Sequence, residues 1–198
     1  CNNVRVQDVT LRNSAYWTQD YEKCDGVIVR GVKVYSHANW NNDGLDIDSR
    51  NVVVSDCYID CDDDALCLKS DTDTPCENVT VTNCVLKSNC NAIKFGTSSY
   101  SGFKNVTISN CTIDRASEDH IRQWYKNYPW IGTKHKTVVA GIALESVDGG
   151  IIENVSISDI AMQGVQTPIF VRLGDRKRTF SKQMSRINDV MLSLIHIS

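Results

Sequence analysis

Carboxylates stand at the entrance to two short apolar segments near the middle of the chain. Asp43 directly precedes residues 44–48 (GLDID), and the acidic run 62–64 (DDD) precedes residues 65–69 (ALCLK). Cleavage of a glycosidic bond needs one protonated carboxylic acid for the leaving oxygen and a second carboxylate as base or nucleophile. In the inverting reaction the two lie roughly 6.5–9.5 Å apart, which leaves room for a water molecule. These residues can therefore perform acid–base chemistry, provided that the fold brings them together.

A repeated strand pattern is the feature that positions these carboxylates. Segments with the pattern Asn/Asp-Val-x-Val/Ile begin near residues 2, 25, 50, 77, 104, 153 and, weakly, 188. Asn51, Asn78 and Asn105 recur every 27 residues. A period of this length without a helical pattern indicates a solenoid or a propeller, and a propeller blade needs about 40 residues. The sequence therefore predicts an all-β fold, a parallel β-helix in which each repeat forms one coil.

A second strand of each coil has apolar residues at alternate positions, so one side of it faces the interior of the helix. Alignment of these strands predicts two inward columns: Leu45, Leu66, Ile93, Ile142 and Ile169, and Ile47, Leu68, Phe95, Leu144 and Val171. It also predicts two outward columns: Asp46, Cys67, Lys94, Ala143 and Phe170, and Asp48, Lys69, Gly96, Glu145 and Arg172. We expect the outward face to be shallow, mixed in charge and continuous over five coils, which suits a polymer lying across it.

Stacked coils also predict roles for polar and small residues. Side-chain amides at one turn are expected to form a ladder in which each binds the next coil; the members are Asn51, Asn78, Asn105 and Asn154. Small thiols one repeat apart are expected to stack in the interior rather than form disulfides; they are Cys57, Cys84 and Cys111.

Stacking places Asp43 and Asp64 at equivalent positions one coil apart, each directly before its strand. Two like charges at that separation push the pKa values of the two groups apart. Asp63 precedes Asp64 and is expected to point in another direction. The three aspartates can then supply an acid and a pair that holds the attacking water.

Residues 42–44 (NDG) followed by 63–70 (DDALCLKS) resemble the paired motifs Asn-Thr-Asp-Gly and Asp-Asp-x-x-x-x-Lys-Ser of glycoside hydrolase family 28. That family contains polygalacturonases and rhamnogalacturonan hydrolases, and the later coils resemble its Bacteroides-like bacterial branch. The resemblance covers nearly the whole chain. It implies a single-stranded right-handed parallel β-helix (a pectin-lyase-like solenoid) that hydrolyses galacturonic-acid-containing pectic polysaccharide with inversion and without a metal or other cofactor. By the same resemblance, Asp63 is the general acid, Asp43 and Asp64 activate the water, and the enzyme is secreted or periplasmic.

Two departures from the family pattern concern the substrate. Where polygalacturonases have Gly-His-Gly the chain has Cys90-Asn91-Ala92, and where they have Arg-Ile-Lys it has Gly141-Ile142-Ala143. Since the second motif grips the galacturonate carboxylate in that family, a rhamnogalacturonan or other branched substrate is at least as strongly favoured. Our candidate substrate contacts are Asp46, Lys69, Asn91, Lys94, Glu145, Arg172, Trp124 and Trp130.

We expect one β-helix domain over residues 1–191, a monomer, cut from a longer protein at both ends. An insertion at about residues 117–139, rich in aromatic and basic residues, interrupts one coil. It is predicted to lie beside the outward face, and the alternative is that its aromatics only pack the loop onto the helix. Residues 192–198 (LSLIHIS) break the pattern and are predicted to be a non-native tail. His37, His120 and His135 have no partner pattern and are assigned no role.

Two other functions remain open at this stage. A lyase of the same fold would use a calcium site, for which six carboxylates are available: Asp43, Asp46, Asp48, Asp62, Asp63 and Asp64. A non-catalytic binding or adhesin module is the other alternative. A net charge of −3 supplies no basic face for nucleic acid, and no segment approaches the ~18 apolar residues that span a membrane. We therefore expect neither nucleic acid nor a membrane as a partner.

Overall fold

The structure is a computed structural model that describes residues 1–118, 138–178 and 183–198. Within these ranges the chain forms strands and no helix. The strands are β1 (Asn2–Gln7), β2 (Thr10–Arg12), β3 (Asp20–Arg30), β4 (Lys33–Ser36), β5 (Leu45–Ser55), β6 (Tyr58–Cys61), β7 (Leu66–Ser70), β8 (Cys76–Thr82), β9 (Val85–Ser88), β10 (Asn91–Ser99), β11 (Phe103–Arg115), β12 (Val138–Ser146), β13 (Ile151–Met162), β14 (Val165–Leu173) and β15 (Arg186–Ile197). In the described ranges no helix is long and apolar enough to cross a membrane.

The strands pair in parallel with those of neighbouring coils and form three faces. The front face contains the first residues of β3 and the first half of β5, followed by β7, β10, β12 and β14. The back face runs from β1 and β3 through the second half of β5 to β8, β11, β13 and β15. The third face contains β2, β4, β6, β9 and the end of β11. This arrangement confirms the predicted parallel β-helix.

The register of the front face confirms the two inward columns and the first outward column, and in the second outward column it pairs Glu145 with Arg172. Leu45 pairs with Leu66, Leu66 with Ile93, Ile93 with Ile142 and Ile142 with Ile169. The inward side chains of β5, β7, β10 and β12 are buried. Those of β14 are not, because β14 is the outermost strand of this face: Ile169 is 39% and Val171 is 52% exposed.

The asparagine ladder lies at the corner between the front and back faces. Each Nδ2 donates to the Oδ1 of the preceding coil, at 3.0 Å from Asn78 to Asn51, 3.0 Å from Asn105 to Asn78 and 2.8 Å from Asn154 to Asn105. All four backbones are left-handed, with φ between 53° and 56°. Asparagine tolerates this conformation better than most residues, so the same residue type satisfies both the turn and the ladder. The predicted ladder is confirmed.

A second left-handed corner, between the back and third faces, was not predicted. It is occupied in successive coils by small polar residues or glycine and, in the last coil, by leucine: Asp8, Gly31, Asp56, Asn83, Asn110, Asp159 and Leu194. Strand β15 runs through this corner to Ile197, and Leu192 and Ile195 pack against the core. The strand pattern thus continues past residue 191, whereas the non-native origin of residues 192–198 stays a prediction.

The predicted thiol column lies directly after this corner. Cys57, Cys84 and Cys111 are almost fully buried, and each Sγ donates to the carbonyl oxygen two residues earlier at 3.2 Å. All nine cysteines of the chain are free thiols. The column therefore fills the interior, as predicted, without cross-linking the coils.

Candidate active site

The predicted catalytic residues lie where each coil turns from the third face into the front face; we call this the front corner (residues 37–44, 62–65 and 89–91). Backbone hydrogen bonds connect the turns, from the N–H of Gly44 to the carbonyl of Asp64 at 2.8 Å and from the N–H of Ala65 to that of Asn91 at 2.9 Å. A Cβ atom on Gly44 would lie 2.7 Å from the carbonyl oxygen of Ala65 and would clash with Ile59. Glycine is therefore required for the turn that carries Asp43 to approach the turn that carries Asp64.

The three predicted catalytic aspartates converge at this corner. One carboxylate oxygen of Asp43 lies within 4.8 Å of one of Asp64, and the same is true of Asp63 and Asp64. These nearest oxygens are closer together than the roughly 6.5–9.5 Å expected for the inverting reaction. All three side chains are largely buried, with residue exposures of 4%, 8% and 2% for Asp43, Asp63 and Asp64. The turn is held by Ser88, whose hydroxyl donates to the carbonyl of Asp63 at 2.6 Å, and by the Asp64 N–H, which donates to the Asp63 carboxylate at 2.9 Å.

Asp64 is the ionised member of this group. Burial alone would raise its pKa, but Lys94 Nζ lies 2.7 Å from Oδ2, and Asn91 Nδ2 donates to Oδ1 at 2.6 Å. Together these contacts hold the pKa of Asp64 below its ordinary value. Burial also opposes the charge on Lys94, yet Asp64 raises the pKa of that lysine above normal. The pair therefore stays charged at neutral pH.

Asp43 is in the opposite state. Burial, followed by the nearby carboxylates of Asp46 and Asp64, raises the pKa of Asp43 to about 9. Lys69 opposes this shift only weakly, since its Nζ lies 4.0 Å from Oδ2 of Asp43. Two carboxyl groups this close cannot easily both ionise. The Asp43–Asp64 pair therefore shares one proton at neutral pH, and Asp43 holds it.

The front face beside this corner is not the shallow surface predicted from the sequence. Asp46 and Cys67, both in an outward column, are fully buried. Lys69 bends across the face to place Nζ 3.0 Å from Asp46 and 4.4 Å from the centre of the Trp17 ring. Burial still raises the pKa of Asp46 to about 7. The prediction was wrong because long lysine side chains close over this face when they pair with carboxylates of other coils.

Of the predicted substrate contacts, Asp46 is fully buried beneath its partner Lys69, so it does not present its carboxylate to a ligand on the surface. The others fall into three groups. Lys69, Asn91 and Lys94 contact the buried carboxylates, as described above. Glu145 and Arg172 are cross-strand neighbours on β12 and β14, where Glu145 is half-buried and Arg172 exposed. Arg172 is two strands from Lys94, on the order of 10 Å away at the usual strand spacing. Trp124 and Trp130, with most of the predicted insertion, lie outside the described residues.

The six aspartates of the calcium alternative do not form one site. Asp62 accepts a hydrogen bond from Asn89 Nδ2 at 2.9 Å, and Asp48 accepts one from the N–H of Asp71 at 2.8 Å. Asp46 pairs with Lys69. Two smaller groups of side chains lie close enough to share one ion, Asp43 with Asp64 and Cys67, and Asp63 with Asp64 and Cys90. In both, the Lys94 ammonium already neutralises Asp64, which disfavours a cation there.

Two features of this region were missed in the sequence. Trp17 lies in a stretch without strand pattern, and its position near Asn42 and Asp43 in the next coil was a signal that we did not use. His37 and Asp60 form a buried pair, with Nε2 3.1 Å from Oδ1. No sequence signal identifies that pair, because its two members belong to different coils and different columns.

Comparison with known proteins identifies the family of the chain and a solved structure with a similar fold. Residues 1–196 match the family model described as glycosyl hydrolases family 28. A solved structure of the family 28 exopolygalacturonase of Yersinia enterocolitica aligns with a TM-score of 0.77 at 18% identity, and the alignment covers 100% of this chain and 34% of that protein. The chain thus spans about a third of the length of this relative. No curated protein matches the chain.

Proposed function

Because the chain belongs to the glycosyl hydrolases of family 28, we propose that it hydrolyses galacturonic-acid-containing pectic polysaccharide, either polygalacturonan or rhamnogalacturonan, with inversion. The observation that carries the proposal is the convergence of Asp43, Asp63 and Asp64 at one corner, with two of them in opposite charge states. An exopolygalacturonase with the same fold supports the substrate class. Because that polymer is extracellular, we also propose a secreted or periplasmic location.

The charge states of Asp43 and Asp64, together with the role that the family resemblance implies for Asp63, suggest a division of labour. Asp63 donates its proton to the leaving glycosidic oxygen as the bond to the anomeric carbon breaks. Water attacks that carbon from the opposite side and passes a proton to Asp64, which is ionised and therefore able to accept it. Asp43 keeps its proton and holds the water by donating a hydrogen bond. Lys94 and Asn91 orient Asp64 throughout.

Recognition of the uronate carboxylates needs cations at the edge of this centre. Lys69 and Lys94 are engaged with Asp46 and Asp64, so their charge is largely compensated within the protein. Arg172 is exposed on the outermost strand of the same face. We propose that Arg172 contacts a substrate carboxylate three coils away from Asp63 and Asp64, where the bond is cleaved.

The test is Asp63→Asn, with Asp73→Asn as the matched control, because Asp73 is an exposed aspartate whose Lys23 contact is loose at 3.6 Å. New reducing ends would be measured on polygalacturonan and rhamnogalacturonan in the presence of a chelator. Loss of the general acid should lower kcat by roughly 10²- to 10⁴-fold, and the control should retain full activity. Products that absorb in the near ultraviolet, or activity abolished by the chelator, would instead establish a calcium-dependent lyase.

A further inference from the structure

Two stretches of the chain form a rim beside Asp43, on the side of the coils that precede it: the turn at residues 13–19, and residues 37–42 of the front corner. The buried Asn42 joins the two stretches, because its Nδ2 lies 2.9 Å from the carbonyl oxygen of Ser14 and 3.1 Å from that of Tyr16. Its Oδ1 accepts the N–H of Asn39 at 2.7 Å. The backbone of Asp43 is also connected, since its carbonyl accepts the N–H of Thr18 at 2.9 Å. The rim is therefore fixed relative to the catalytic corner.

Three aromatic side chains occupy this rim. Trp17 is half-buried, and its ring lies 4.4 Å from Lys69 Nζ, the ammonium that also pairs with Asp46. The ring of Tyr16 lies 5.1 Å from that of Trp17 at an angle of 36°. Tyr16 is 53% exposed and Trp40 is 44% exposed. Two large aromatic rings thus face solvent next to a buried, polar catalytic centre.

The chemistry of the rim fits a sugar ring. A pyranose presents an apolar C–H surface with hydroxyl groups around its edge, and tyrosine and tryptophan present a large apolar ring with one polar group. A polymer that runs along the front face from Arg172 past Lys94 to Asp43 reaches this rim next, because the rim belongs to the preceding coils. We propose that Tyr16 and Trp40 form an aromatic subsite on which a galacturonate ring of the substrate stacks. Trp17 supports the ring of Tyr16 from within the protein.

This inference rests on the proposed function and adds a binding position to it. Trp17 contributes indirectly, because its ring contacts both Lys69 and the ring of Tyr16. The subsite stabilises the bound substrate and the transition state equally. Its removal should therefore raise KM and leave kcat nearly unchanged.

The experiment uses the full chain and hexagalacturonate as the probe, with Tyr16→Ala and Trp40→Ala compared with Tyr58→Ala. Tyr58 is the control because its ring packs on Tyr35, at 5.5 Å, on the third face. Tyr16→Ala and Trp40→Ala should each raise KM roughly three- to tenfold, the worth of one aromatic contact. Tyr16→Phe should restore the wild-type KM, and Tyr58→Ala should not change it.

Binding measured by calorimetry in an Asp63→Asn background separates the subsite from the reaction. Weaker binding of hexagalacturonate by the two rim variants, with unchanged binding by Tyr58→Ala, would support the subsite. If both rim variants cleave and bind hexagalacturonate with the KM and affinity of the wild type, the subsite is overturned and the proposed function stands. A wild-type chain that neither binds nor cleaves pectic oligomers would overturn both.

Discussion

Single residues at the front corner show how one buried carboxyl can be kept ionised beside another that is kept protonated. Asp64 has Lys94 and Asn91 within 2.7 Å, whereas Asp43 has its nearest cation at 4.0 Å and carboxylates on two sides. Burial acts on both groups in the same direction, so the partners decide the outcome. The difference depends on a few ångströms of lysine placement.

The raised pKa of Asp43 predicts that this residue destabilises the fold at neutral and alkaline pH. The folded state binds its proton up to about pH 9, whereas the unfolded chain releases it near pH 4. Stability is therefore lost as the pH rises through this interval. Asp43→Asn should stabilise the protein by about 1–3 kcal/mol at pH 8, with little gain at pH 4, and should abolish hydrolysis.

Denaturant titrations of both proteins at pH 4, 6 and 8 check this expectation. Asp73→Asn, which removes an exposed carboxylate, serves as the control and should show no comparable gain. An Asp43→Asn variant that is less stable than the wild type at pH 8 would show that the Asp43 carboxyl does not destabilise the folded state at that pH.

At the scale of the elements, the corners of the coils specify the fold as much as the strands do. The strand columns could be predicted because alternation of apolar residues and a regular repeat together determine the register. The ladder could be predicted from the spacing of its asparagines. The second left-handed corner escaped prediction because aspartate, asparagine and glycine alternate there without a fixed residue. The lysines that close over the front face escaped because the partners of a long side chain depend on the packing of neighbouring coils.

Asn78, in the middle of the ladder, allows the backbone and hydrogen-bond contributions of the corner to be separated. Asn78→Ala removes two ladder bonds and places a less suitable residue at φ 55°, while Asn78→Gly removes the bonds only. We expect losses of about 2–3 kcal/mol for alanine and about 1–2 kcal/mol for glycine. Thermal or denaturant unfolding measures both. Equal losses in the two variants would show that left-handed strain contributes nothing at this corner.

In the molecule as a whole, strand pairing joins each coil to its immediate neighbours, so stability should vary along the axis. The inward residues of β5, β7 and β10 are fully buried, whereas Ile169 and Val171 of β14 are about half-exposed. Seven of the nine thiols are buried inside the stack, where they are shielded from oxidation.

Hydrogen exchange should reveal this gradient. Backbone amides of β14 are expected to exchange at least tenfold faster than those of β7 and β10, because opening the outermost strand exposes little additional apolar surface. Mass spectrometry of peptides from each strand measures the difference. Uniform protection along the front face would indicate that the coils open together as one unit.

The catalytic residues and the left-handed turns occupy different corners of each coil, which has a consequence for how such chains diversify in evolution. The two left-handed corners recur in successive coils and are occupied mostly by asparagine, aspartate or glycine, whereas the residues of the front corner differ from coil to coil. More residues separate β11, which ends at Arg115, from β12, which begins at Val138, than separate β9 from β10, and β12 still pairs in register with β10. Lengthening a loop whose ends are already fixed costs little free energy. New specificities can therefore be acquired by insertion at the front corner, coil by coil, without any change in the residues that specify the fold.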